Sequence, residues 1–176
     1  AIEGPEGRAG HDYRVLGLPM TLLQRFALET ARAAEKDYVD TGKARLIYLD
    51  FAFLGQESVD AALAAHCAGD QGKFWEYHDL LFAARTGENV GDFKRENLDK
   101  FAGQLKLNMD QFKQCVDSKK YADFLTAERQ EGQRNGVQST PTIFVNGRKI
   151  EGFVPYENQK TDAELTLAAG ATVSGG

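Results

Sequence analysis

A chain of 176 residues, 42% apolar and 27% charged, is long enough to bury one substantial core and too apolar to stay disordered. Twenty-six acidic side chains against 21 Lys and Arg leave a formal charge of −5, and no basic cluster is interleaved with aromatics, which argues against nucleic acid as a partner. No run reaches the roughly 18–20 apolar residues of a membrane span, and the opening AIEGPEGRAG has neither the basic flank nor the apolar run of a signal peptide, as a processed secretory chain also would not.

Taken in order, residues 1–18 are rich in glycine and charge and read as an extended arm. Met20-Thr21-Leu22-Leu23 reads as a short buried strand, placed at 20–24. A helix follows, with Ala27, Thr30, Ala31, Ala34 and Tyr38 on one face and Gly42 as its stop. ARLIYLDFAF at 44–53 predicts a second core strand covered by helices.

From Ser58 to Arg134 the periodicity is helical. Ser58 is the expected cap of VDAALAAHC, Phe74, Tyr77 and Leu81 form a stripe, and Leu98, Phe101, Ala102 and Leu105 repeat it. Asn108 with Gln111 looks like a capping box before Phe112 and Val116, and Ser118 reads as the cap of a helix carrying Tyr121 and Leu125. So many helices cannot all lie on a small sheet, so several must pack on one another. The pattern then returns to strands: Thr142-Ile143-Phe144-Val145, the Asn146-Gly147 hairpin signal, and Arg148-Lys149-Ile150. A last helix is expected from Tyr156 to Ala169, before a Gly-Ala-rich tail.

The two cysteines, Cys67 and Cys115, are too far apart for a CxxC centre or a cysteine-rich metal site built from neighbours. Two readings stand: buried free thiols, or a disulfide suited to an oxidising compartment. Each cysteine lies late in a helical period, away from the helix N-terminus that lowers a thiol pKa, which favours packing or a staple over catalysis. His66 and His78 lack a third ligand at a useful spacing and read as helix-surface or core-edge residues, so no metal is expected. Phe74, Trp75 and Tyr77 read as core rather than as a peptide groove. Gly132, Gly136 and Gly147 make no phosphate loop. Asp50 and Glu57 read as surface acids.

YVDTGKARLIYLDF at 38–51, AAHCAGDQGKFWEYHDLLF at 64–82 and GVQSTPTIFVNGRKIEG at 136–152 together resemble the DsbA-like branch of the thioredoxin superfamily, over most of the chain from residue 19 onward. The resemblance implies an α/β fold: a thioredoxin-like mixed sheet interrupted by an inserted helical subdomain. It divides the chain into an N-terminal arm (1–18), a first core part (19–56), a helical insertion (57–133), a second core part (134–170) and a tail (171–176). It implies a cis bond before Pro141, with Thr140 and Pro141 as the substrate-binding pair facing an extended or unfolded polypeptide, a redox partner protein, no cofactor, and a periplasmic or extracellular location rather than a cytoplasmic one. It also implies that Cys67 and Cys115 are an additional, noncatalytic disulfide.

The chain departs from the family at RVLGLPMTLLQRFALET, where the family pattern runs from strand through a CxxC loop into the helix. Here Gln24-Arg25 stands where that loop belongs, so the catalytic residues are unknown. The preferred explanation is a segment missing between Leu23 and Phe26. In another register, Met20–Leu23 would occupy the CxxC position as a substituted centre. Two functions follow from these readings: a thiol-disulfide oxidoreductase whose CxxC segment is absent from this sequence, or a redox-inactive peptide-binding or chaperone-like protein.

Overall fold

The computed structural model describes residues 2–3, 11–16, 24, 26–158 and 160. The described residues fall into two compact units, one drawn from both ends of the chain and one formed by residues 50–136.

The first unit is built on a sheet of order β1-β3-β2-β4-β5. Its strands are β1 (Ile2–Glu3), β2 (His11–Leu16), β3 (Ala44–Leu49), β4 (Thr142–Val145) and β5 (Arg148–Glu151). β2 lies parallel to β3, with His11 opposite Ala44 and Leu16 opposite Leu49, and antiparallel to β4, with Tyr13 opposite Val145 and Leu16 opposite Thr142. A parallel pair needs a crossover. That crossover contains α1, a helical run made of a π-type turn Phe26–Thr30, an α-helical turn Ala31–Ala34 and a second π-type turn Glu35–Val39. Phe26, Ala27, Thr30 and Tyr38 form its buried face. At the β4–β5 turn Asn146 and Gly147 both have positive φ, 49° and 84°, as a two-residue hairpin turn that follows the strand twist requires.

The central strand is not where the sequence placed it. It is His11–Leu16, inside the segment expected to be an arm, while the expected strand at 20–24 lies outside the described residues except for Gln24, which is helical. The reason is compositional. HDYRVL carries His, Asp and Arg and so lacks the continuous apolar run expected of a strand with neighbours on both sides, whereas MTLL imitates one. Of the expected final helix, Tyr156–Asn158 and Lys160 are helical and the remainder lies outside the described residues.

The second unit contains α2 (Gln56–Gly69), α3 (Phe74–Ala84), α4 (Arg95–Gln104), α5 (Met109–Asp117) and α6 (Ala122–Arg134). Ala61 to Ala68 of α2 are all buried; the small alanine side chains let neighbouring helices approach closely. Tyr77, Phe82, Leu98 and Phe112 are the large side chains of this core, each at most 1% exposed. Asn108 caps α5 by accepting from the Gln111 amide at 3.1 Å. The other two expected caps are displaced. α2 starts at Gln56 behind Gly55, whose φ of +117° only glycine adopts readily, and α6 starts behind Tyr121, while the Ser118 hydroxyl donates to the Cys115 carbonyl at the end of α5.

Candidate functional site

Thr140 and Pro141 stand immediately before β4. The bond joining them is cis. Leu16, the last residue of β2, pairs with Thr142, the first of β4, so the end of β2 lies beside the strand start that Thr140-Pro141 leads into. The turn is tied down twice: the Gly152 amide donates to the Pro141 carbonyl at 2.8 Å, and the Thr142 hydroxyl donates to the Ser139 carbonyl at 2.6 Å. The Pro141 side chain is fully buried and Thr140 half-buried. Thr140 therefore is the member of the pair whose surface a ligand can reach.

Cys67 of α2 and Cys115 of α5 form a disulfide with Cα atoms 5.8 Å apart. No other cysteine exists in the chain. The bridge sits in a setting unfavourable to exchange. The Asp70 carboxylate lies 3.6 Å from Cys115 Sγ and also accepts hydrogen bonds from Lys120 Nζ at 2.7 Å and the Tyr121 hydroxyl at 2.5 Å. Burial works to raise the Asp70 pKa, but these two donors outweigh it and hold the carboxyl below its ordinary value. An ionised carboxylate against a sulfur opposes an incoming or departing thiolate.

A third grouping was not foreseen. Asp50, expected at the surface, is 4% exposed, and its Oδ2 lies 2.8 Å from His66 Nε2; His66, expected at a helix surface or core edge, is 3% exposed. Glu128 of α6, 6% exposed, accepts the Asp50 backbone amide at 2.8 Å. Burial raises the Glu128 pKa, and the nearby Asp50 charge adds to it, against the lowering by that amide. One signal in the sequence pointed to Glu128: it shares the helical face of Leu125 and Gly132, at steps of three and four, so a charged residue was due to be buried there.

The remaining candidates are structural. Glu57 is half-buried and accepts the Gly91 amide at 2.8 Å, ordering the loop before α4. His78 is buried, with Nδ1 3.3 Å from Asp79 Oδ1. Phe74 and Tyr77 belong to the core, and Trp75 is half-buried beside them. Gly132 lies within α6, whereas Gly136 and Gly147 occupy positive-φ positions.

The thioredoxin family model matches residues 24–164. Among relatives, the chain is 28% identical over 143 residues to disulfide bond formation protein D of Bacillus subtilis, a match covering 76% of this chain and 61% of that one. It is 36% identical over 112 residues to Na(+)/H(+) antiporter NhaA 1 of Salinispora arenicola, covering 64% of this chain but 16% of the antiporter. The chain thus spans less than two thirds of the length of either protein. Among solved structures, oxidised BdbD from Bacillus subtilis superposes with a TM-score of 0.82 at 23% identity, covering 94% of this chain and 92% of that one. Chlamydia trachomatis DsbA superposes with a TM-score of 0.80 at 21% identity, covering 98% and 92%. With the family model matching most of the chain, the protein belongs to the thioredoxin family, and these superpositions show that it has a DsbA-like fold with a helical insertion.

Proposed function

We propose that the protein serves thiol-disulfide exchange on extended polypeptides, in an oxidising compartment outside the cytoplasm, and that the exchanging cysteines belong to a segment between Leu23 and Phe26 that this sequence lacks. The match to disulfide bond formation protein D carries the reading. The topology supports it: β2 ends beside the start of β4, so a cysteine in a loop following β2 would be close to the pair that would hold a substrate strand by its main chain. A helix N-terminus there favours the thiolate, and a second cysteine within the same turn would release the mixed disulfide. A redox partner protein would then restore the oxidised pair.

The residues between β2 and α1 in this sequence, GLPMTLLQR, contain no cysteine, and Cys67 and Cys115 are joined to each other. That observation favours the second reading, a redox-inactive peptide-binding or chaperone-like protein that uses the same Thr140-Pro141 surface. Intact mass and a cysteine count on the reduced, alkylated protein from its natural source separate the two. A mass above 19.4 kDa with cysteines beyond Cys67 and Cys115 is the outcome expected for the oxidoreductase. A mass of 19.4 kDa with those two alone leaves the binding protein.

A further inference from the structure

Asp50, His66 and Glu128 come from three separate places in the sequence: the residue after β3, the late part of α2, and the middle of α6. Each offers one ligand atom, and these atoms lie within 4.8 Å of one another. All three side chains are more than nine-tenths buried. The imidazole is held in place by rings on several sides, with centroids of Phe74, Tyr121 and Phe124 at 5.2, 5.1 and 4.9 Å. Its Nε2 is thereby aimed at Asp50 and has little room to turn away.

Two carboxylates this close in a dry site are costly unless their charge is balanced. Protons, a neighbouring cationic group or a dication can balance it. We propose that Asp50, His66 and Glu128 form a binding site for a divalent first-row transition metal, of which Zn²⁺ is the representative. Bonds of about 2.0–2.2 Å to one imidazole nitrogen and two carboxylate oxygens place tetrahedral ligand atoms about 3.3–3.6 Å apart. That spacing falls between the 2.8 Å of the His66–Asp50 pair and the 4.8 Å limit of the cluster, so small side-chain rotations suffice. A nitrogen donor selects against Ca²⁺ and Mg²⁺, which take oxygen ligands, and towards metals that accept imidazole and carboxylate together. The hydrogen bond from the Asp50 amide to Glu128 Oε2 holds that carboxylate against Asp50 and so within the cluster. Bound metal joins α2, α6 and the residue following β3, so its binding energy adds to the stability of the helical unit.

The test uses the full chain with its disulfide intact, so that thiols cannot take up metal. After EDTA treatment and its removal, the protein is titrated with ZnCl₂ against a chromophoric zinc indicator, and the imidazole ¹⁵N resonances are followed by NMR. One Zn²⁺ per chain, a perturbed His66 Nε2 resonance, and a melting temperature raised by several degrees under excess Zn²⁺ are the expected results. H66Q and E128Q should each lower zinc affinity at least tenfold. If these variants fail to fold, the wild-type resonances still locate the metal. The proposal is overturned if the protein takes up no zinc, if zinc perturbs only the resonances of His11 or His78, or if Ca²⁺ stabilises the protein and Zn²⁺ does not. None of these outcomes bears on the exchange reaction, since the readouts are metal uptake and stability.

Discussion

The Tyr77 hydroxyl, wholly buried in α3, donates to the Leu98 carbonyl of α4 at 2.9 Å. Burial raises the Tyr77 pKa well above the ordinary phenol value, so the group is a permanent donor at any working pH. Removing it in Tyr77→Phe should cost about 1 kcal/mol while leaving the ring packing intact. Urea unfolding should show a lower midpoint with an unchanged slope; an unchanged midpoint would mean that this bond contributes nothing net.

Joining Cys67 to Cys115 closes a loop with a sequence separation of 48. Such a closure restricts the unfolded chain, and its loss should cost on the order of 2–4 kcal/mol. Alkylation of the native, unreduced protein should leave both residues unlabelled. Reduction should shift the thermal midpoint down, and two thiols freely labelled before reduction would show the bond to be absent.

A Cβ built on Gly132 would lie 2.7 Å from a carbon of the buried Phe51 ring, whereas one on Gly103 of α4 meets nothing within 4 Å. Both are helical, so alanine gains up to about 1 kcal/mol of helix propensity at each. At Gly132 the clash costs about 1–3 kcal/mol and should outweigh that gain. Gly132→Ala should therefore lower the melting temperature and Gly103→Ala raise it. Shifts of the same sign would contradict the packing described here.

Asp92 accepts the Thr86 amide at 2.5 Å, the Thr86 hydroxyl at 3.0 Å and the Gly87 amide at 3.2 Å. The Thr86 amide does most to hold its pKa below the ordinary carboxylate value, against the opposing effect of burial. A folded pKa below the unfolded one gives stability that is present above the unfolded pKa, about 3.9, and disappears as pH falls through the folded value. Asp92→Asn should thus weaken the protein at pH 7, and the gap to wild type should narrow on acidification below about pH 4. Urea midpoints measured at both pH values check this, and a gap that widens at low pH would refute it.

What could be read in the sequence followed from signals that local physics makes strong. Thr142 to Val145 with Asn146-Gly147 carries both strand composition and a turn only a few residues can make, and the Tyr77 stripe has helical period. β2 escaped because a strand's place in a sheet depends on its partners, and HDYRVL does not look like a strand with two of them. Asp50, His66 and Glu128 escaped for a related reason. Taken singly, each looks like a surface or helix-face residue, and polar residues tolerate burial only through partners that are remote in sequence.

Catalysed exchange is the central claim, and it is measured as the rate at which glutathione disulfide oxidises a reduced, unfolded dithiol protein in the presence of the protein from its natural source. The account predicts acceleration over glutathione disulfide alone, undiminished when Cys67 and Cys115 are both replaced by alanine in a form that stays folded, because those two do not exchange. A rate no higher than that of glutathione disulfide alone would contradict it.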